Sequence, residues 1–154
     1  MSRKKSPLKI KFNKLQSDVK LPIKGSSHAA CFDVYAHSIT YNEKDPRKRT
    51  VGLGFATEIP KGYRGVIVPR SNLSKHYWIL NNSIGIIDSD YRGEWKAVFT
   101  NITDNAWLYP FPYEIGERIA QIYFEEILDI EFEETDELEE SDRGTGGFGS
   151  TGIK

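Results

Sequence analysis

The centre of the chain reads Asn82-Ser83-Ile84-Gly85-Ile86-Ile87-Asp88-Ser89-Asp90-Tyr91-Arg92-Gly93-Glu94. Two acids and a tyrosine directly follow a short run of β-forming residues and precede a glycine. We therefore expect their side chains to leave the end of a strand together, at one rim of a sheet. One interpretation is an ordinary hairpin with an aspartate-rich turn. The other is a site in which a carboxylate takes a proton from water while the tyrosine packs against a sugar or base.

Short segments rich in β-forming residues recur on both sides of this stretch, with proline and glycine between them. These segments span 8–12, 31–36, 51–59, 65–68, 83–87, 95–101, 118–124 and 128–132. Many short strands at fairly even spacing indicate an all-β sandwich or barrel. A single short helix is predicted to begin near Ser71, whose hydroxyl could cap it, and to end before the β-type residues 77–80.

Composition limits the classes of protein that need to be considered. The 154 residues fit one domain, and the formal net charge of -1 argues against a dedicated nucleic-acid binder. The single cysteine, Cys31, rules out an internal disulfide and fits a reducing compartment. No apolar run approaches the roughly 20 residues that span a bilayer. We therefore expect a soluble, cytoplasmic protein with no membrane contact.

Three further clusters carry polar groups that suit chemistry, and each also has an ordinary structural explanation. Arg70 and Ser71 stand where the predicted helix begins. They could bind an anion there, or Ser71 could simply cap the helix while Arg70 lies on the surface. Gln121 interrupts an apolar strand, either to satisfy a core hydrogen bond or to donate to a phosphate. Asp33 lies among β-formers, facing solvent or holding water bound to a divalent cation.

The C-terminal tail at 143–152 contains five of the 13 glycines together with Arg143 and Phe148. Glycine lets backbone N–H groups approach an anion, arginine can form two hydrogen bonds to a phosphate, and an isolated aromatic ring can stack on a base. A flexible tail is the plain alternative. Residues 133–142 are mostly acidic and are predicted to form an extended spacer. The predicted organisation is therefore a barrel domain at 1–132, followed by the spacer and tail at 133–154.

The order of these five clusters resembles the five motifs of the trimeric dUTPases (dUTP pyrophosphatases), over nearly the whole chain from about Leu8. The resemblance implies a homotrimer of jelly-roll-like β barrels, with active sites at subunit boundaries and the C-terminal tail lent to a neighbouring subunit. It also implies hydrolysis of dUTP to dUMP and pyrophosphate with Mg²⁺. That activity limits uracil incorporation into DNA and supplies dUMP.

The resemblance also assigns roles to individual residues. Asp88 would orient and deprotonate the water that attacks the α-phosphorus, and Tyr91 would pack against the deoxyribose and reject a 2′-hydroxyl. Asp33 would touch Mg²⁺ only through coordinated water, because that cation prefers substrate phosphates. The other substrate-binding residues implied are Asn82, Ile86 and Ile87 for uracil, Arg70, Ser71, Asn72 and Gln121 for phosphate, Lys96 near the ligand, and Arg143, Gly146, Gly147, Phe148, Gly149, Ser150 and Thr151 from the tail.

Two positions depart from the family pattern, because Cys31 and Asn72 stand where glycine is usual. Two other functions are compatible with such a chain. One is a dCTP deaminase on the same fold, which would release ammonia instead of pyrophosphate. The other is a regulatory protein whose basic N-terminus or 40–49 loop contacts a partner protein. No direct contact with nucleic acid is expected.

Overall fold

The computed structural model describes residues 6–147, and the predicted all-β fold is confirmed: strands form nearly all of its regular structure. A 3-10 helix at Ser71–Lys75 is the only helical element among these residues. The strands are β1 (Lys11–Lys14), β2 (Phe32–Tyr35), β3 (Ser38–Tyr41), β4 (Lys48–Gly52), β5 (Phe55–Glu58), β6 (Tyr63–Pro69), β7 (Trp78–Leu80), β8 (Gly85–Ile87), β9 (Lys96–Asn101) and β10 (Arg118–Glu126).

The strands pair antiparallel into two four-stranded sheets and one two-stranded pair. The first sheet has the order β2-β10-β6-β8, the second β3-β4-β9-β7, and β1 pairs with β5. Trp95 and Phe99 are fully buried within the core, and the Trp95 indole donates to the Thr57 hydroxyl at 3.1 Å. A buried indole N–H needs such a partner, because an unpaired polar group would destabilise the core.

The segment predicted as one strand at 51–59 is in fact two strands, β4 and β5. The break falls at Gly54, whose φ of 72° lies in the left-handed region that favours glycine. The backbone N–H of Gly54 donates to the Glu94 carboxylate at 2.9 Å, so a residue 40 positions away supports the turn. Strand β3, which follows β2 directly, was not predicted.

The predicted helix near Ser71 is confirmed, but the predicted cap is wrong. Arg70 occupies the N-cap position in an extended conformation and makes no capping bond from its side chain. Ser71 instead lies in the first turn, where its carbonyl accepts from the Ser74 hydroxyl at 2.7 Å. The helix is short because the chain turns extended at His76 and enters β7.

The strand predicted at 128–132 does not form within this single chain, because β10 ends at Glu126 and no strand among residues 6–147 pairs with the segment beyond it. The alternating side chains of Leu128, Ile130 and Phe132 are 81%, 66% and 96% exposed. Residues 133–142 are also exposed. In the described part of the chain, no helix has the length and apolar character needed to cross a membrane.

Candidate active site

The central stretch contains β8 and a turn that ends just before β9. The hairpin interpretation is wrong, because β8 pairs with β6 and β9 with β4 and β7, so the turn connects two different sheets. Ile87 pairs with Gly65 of β6, and Asp88 leaves the sheet directly after it. Beside this turn is a cavity of about 190 Å³, lined by Ile86, Ile87, Asp88, Tyr91, Glu94 and Lys96. Five of the six lining residues, all except Glu94, were predicted site residues, and the structure brings these five together.

Tyr91 is held in this cavity by contacts at both ends of the residue. Its backbone N–H donates to the Asp88 carbonyl at 3.2 Å, and its hydroxyl donates to the Glu94 carbonyl at 3.1 Å. Gly93 leaves room for the ring, since a Cβ there would lie 2.5 Å from Cζ of Tyr91. The Glu94 carboxylate lies 3.8 Å from the Lys96 ammonium. The cavity therefore combines a fixed aromatic frame with an exposed carboxylate, that of Asp88.

Asn82 lies in the exposed turn that leads into β8. Gly85 is buried next to it, and a Cβ added at Gly85 would lie 3.3 Å from Nδ2 of Asn82. The amide is thus placed beside the first residue of the strand that carries Ile86 and Ile87, but Asn82 is not among the residues that line the 190 Å³ cavity.

Asp33 forms the centre of a second polar cluster, at the other end of the same sheet. Its carboxylate is 5% exposed and receives Arg118 Nη1 at 3.1 Å and Gln121 Nε2 at 3.1 Å, while Arg70 Nε lies 3.3 Å away. The sequence left open whether this acid faces solvent, and the structure shows that it does not. Both Asp33 oxygens are occupied by cationic or amide donors from two other motifs.

A cavity of about 330 Å³ adjoins this cluster. Its lining includes Arg70, Asn72, Tyr113, Glu117 and Arg118. Arg70 is fixed there by a second bond, in which Nη1 donates to the Arg118 carbonyl at 3.1 Å. Two guanidinium groups of restricted mobility at a polar cavity are suited to bind phosphate. Ser71 lies next to Arg70 but is exposed.

The Asp88 cavity and the Arg70 cluster lie at opposite ends of β6. Asp88 follows the residue paired with Gly65, close to Arg64, whereas Arg70 follows the last residue of β6. Six residues of extended strand separate Arg64 from Arg70, which is about 20 Å. One protomer therefore does not place Asp88 and the Arg70 cluster around the same small molecule.

Only part of the predicted tail site lies in the described structure. Arg143 is exposed, and its Nε donates to the Gly146 carbonyl at 2.8 Å within a local turn. Gly146 and Gly147 end the described part of the chain. Phe148, Gly149, Ser150 and Thr151 lie outside the described residues.

Sequence reasoning missed Glu94, Tyr113 and Arg118, although each lies in or next to a recognised cluster. Arg118 and Gln121 are three residues apart, so in a regular strand they would face opposite ways. A register shift between Arg118 and Ala120 corrects this, since Arg118 pairs with Tyr35 and Gln121 with Asp33 on one face. Nothing in the sequence marks that bulge.

The dUTPase family model matches residues 17–152. The chain belongs to the dUTPase family. A deoxyuridine 5′-triphosphate nucleotidohydrolase from Hydrogenobaculum is 38% identical over 148 residues, covering 96% of this chain and all of that protein. Among solved structures, a Staphylococcus bacteriophage 80alpha dUTPase with dUpNHpp superposes with a TM-score of 0.78 at 24% identity, covering 94% of this chain and 99% of that one. A dUTPase variant from phage phi11 of S. aureus, described as coordinating a structural Mg(II) ion, superposes with a TM-score of 0.68 at 18% identity, covering 84% of this chain and 97% of that one.

Metal ligands are not grouped in the part of this dUTPase chain that the structure describes. Across residues 6–147, no three histidine, cysteine, aspartate or glutamate side chains converge as metal ligands. Direct ligation by Asp33 would have to displace Arg118, Gln121 or Arg70. Both oxygens of Asp33 are therefore engaged by residues of this chain.

Proposed function

We propose that this chain hydrolyses dUTP to dUMP and pyrophosphate, in sites that combine residues of neighbouring subunits. The observation that carries the proposal is the 190 Å³ cavity, in which an exposed carboxylate at Asp88 lies beside the fixed ring of Tyr91. The match to the dUTPase family over residues 17–152 supports deoxyuridine nucleotides as the substrate class.

In this proposal Asp88 accepts a proton from water as the water oxygen bonds to the α-phosphorus. The bond from that phosphorus to the bridging oxygen breaks, and pyrophosphate leaves with the electron pair. Tyr91 lies against the deoxyribose, where the fixed phenol leaves no space for a 2′-hydroxyl. Asn82 and the backbone of Ile86 and Ile87 pair with the uracil edge, and Lys96 lies near the ligand.

The phosphate chain is bound in this proposal by Arg70, Ser71, Asn72 and Gln121. Asp33 holds Arg70 and Gln121 in place from behind, so that their remaining N–H groups face the phosphates. Because this cluster lies about 20 Å along β6 from Asp88, the Arg70 cluster of one protomer serves the Asp88 of another. That requirement supports sites at subunit boundaries, and the dUTPase resemblance makes the proposed oligomer a homotrimer.

The C-terminal segment supplies a second argument for exchange between subunits. Leu128, Ile130 and Phe132 alternate as in a strand but are exposed in the single chain. An apolar groove of about 390 Å³, lined by residues that include Ile10, Phe12, Phe32 and Phe124, is suited to receive them. We assign residues 1–132 to the barrel and residues 133–154 to a spacer and tail that reach a neighbouring site.

The tail completes the site in this proposal. Arg143 binds the γ-phosphate, Gly146, Gly147, Gly149, Ser150 and Thr151 wrap the triphosphate, and Phe148 covers the uracil. Bound Mg²⁺ would neutralise charge on the phosphates, which hold it, and Asp33 would contact it only through water. The cytoplasmic location and any regulatory partner stay predictions.

A nucleotide panel tests the proposal most simply. Pyrophosphate release should be rapid from dUTP and weak from UTP, dTTP and dCTP. Asp88→Asn should bind dUTP and lose about 10² to 10⁴ in kcat, the usual effect of removing a general base. Ammonia release from dCTP, with no pyrophosphate from dUTP, would instead identify a deaminase. A near-normal rate in Asp88→Asn would refute the base assignment alone.

A further inference from the structure

The side chain of Asn72 has one defined partner, and that partner lies outside the predicted phosphate-binding set. The Tyr113 hydroxyl donates to Oδ1 of Asn72 at 3.1 Å. Both residues line the 330 Å³ cavity that also contains Arg70 and Arg118. The contact joins the 3-10 helix to the segment before β10, across 41 residues of sequence.

Tyr113 is a rigid anchor. Its side chain is 6% exposed, with its ring 5.6 Å from Phe111 in an edge-to-face arrangement and 6.1 Å from Phe99. Burial raises the pKa of Tyr113 above its ordinary value, while the Arg70 charge offsets part of that effect. The hydroxyl therefore keeps its proton at neutral pH and remains a donor.

In the structure the Tyr113 hydroxyl donates to the oxygen end of the Asn72 amide. Oδ1 faces the tyrosine hydroxyl, so Nδ2 with its two N–H groups is left for the cavity. If the amide turned over, its oxygen would face the cavity beside the anion and would repel it. Glycine, which is usual at this position in the dUTPase motif, has no side-chain amide whose orientation has to be set.

We propose that Tyr113 is a positioning residue for phosphate binding, which orients Asn72 so that its amide nitrogen donates to a phosphate oxygen beside Arg70 and Arg118. Naming the anion as the phosphate chain of dUTP rests on the proposed function. The orientation itself depends only on the cavity and the Tyr113 contact.

A double-mutant cycle between Tyr113→Phe and Asn72→Gly tests this role, with the dissociation constant of inorganic pyrophosphate and kcat/KM for dUTP as readouts. Tyr113→Phe should weaken pyrophosphate binding about threefold to tenfold, as expected for loss of one hydrogen bond. In the Asn72→Gly background the same change should have no effect on binding. Tyr41→Phe, at an exposed tyrosine outside the cavity, is the matched control and should leave both readouts unchanged.

Thermal unfolding of all four proteins checks that each remains folded at the assay temperature, so that a change in pyrophosphate affinity is not loss of structure. Tyr113→Phe should lower Tm mainly in the wild-type background, because in Asn72→Gly the hydroxyl has already lost its partner. Wild-type pyrophosphate affinity in Tyr113→Phe, or an equal loss in both backgrounds, would overturn the proposal. If the four proteins show the predicted coupling in pyrophosphate binding but the wild-type chain does not cleave dUTP, the proposed function is refuted and the positioning role remains.

Discussion

Replacement of Asp33 by asparagine is expected to reduce stability and phosphate binding together, because one carboxylate organises three motifs. Asparagine has nearly the same shape, so the change removes charge without opening a cavity. Asparagine keeps one acceptor oxygen, but it replaces the other Asp33 oxygen with an N–H₂ group. That group then faces an N–H donor of Arg118, Gln121 or Arg70. Arg70 and Arg118 thereby lose their common anion.

The magnitude follows from how buried each contact is. Asp33 is 5% exposed and Arg70 24% exposed, so their contact has the value of a charged hydrogen bond that is largely shielded from water, about 1.5–3 kcal/mol. Arg118 is 45% exposed, and its contact adds about 0.5 kcal/mol after solvent screening. We therefore expect a loss of about 3 kcal/mol in the free energy of unfolding, which lowers Tm by about 6–12 °C in a chain of this size.

Thermal unfolding at a fixed chain concentration measures the stability effect, because assembly makes Tm depend on concentration. Asp88→Asn is the matched control: its carboxylate is exposed, so Tm should change by about 2 °C or less. In the same preparations Asp33→Asn should raise the pyrophosphate dissociation constant, since Arg70 and Gln121 are released. A variant with wild-type Tm and an altered Mg²⁺ requirement would contradict the structural role and assign Asp33 to the cation alone.

Two other variants test the sugar pocket at Tyr91 and the C-terminal tail. Gly93→Ala should displace the Tyr91 ring, because its Cβ would lie 2.5 Å from Cζ. The ratio of kcat/KM for UTP to that for dUTP should then rise about tenfold, the scale of a lost steric contact, and an unchanged ratio would show that Tyr91 does not select the sugar. Deletion of residues 143–154 should leave Tm within about 2 °C of the intact chain, with kcat/KM for dUTP strongly reduced. Loss of the cooperative unfolding transition would make the tail a structural element.

The sequence predicted the fold class because β-forming segments and turn residues are local signals. It predicted the Asp88 turn for the same reason, since the β-forming run, the acids and the tyrosine all lie within 13 residues. It did not predict that the strands on either side of this turn belong to different sheets, because strand partners are set by distant residues. The break in 51–59 falls at Gly54, and a glycine inside a strand pattern is a local signal that was not used. The support of this turn by Glu94, 40 residues away, has no such local signal. The segment 128–132 has a strand's alternation, but the described residues of one chain provide no partner for it.

The partners of Asp33 could not be predicted from the sequence, because they are distant along the chain. Arg118 and Gln121 are 85 and 88 residues away from it, and only the bulge in β10 turns both to one face. Motif order could name Asp33, Arg70 and Gln121 as site residues. It could not show that the acid binds the other two directly, or that Tyr113 contacts Asn72.

In the proposed oligomer, Asp88 and Arg70 of one site come from different protomers. This arrangement is tested by mixing Asp88→Asn chains with Arg70→Gln chains after partial unfolding and reassembly, and by measuring dUTP hydrolysis. Each variant alone should be nearly inactive, and an equal mixture should recover about one quarter of wild-type activity, the share of boundaries that pair two intact residues in a cyclic oligomer. Absence of recovery, with subunit exchange demonstrated by mass spectrometry, would contradict the account.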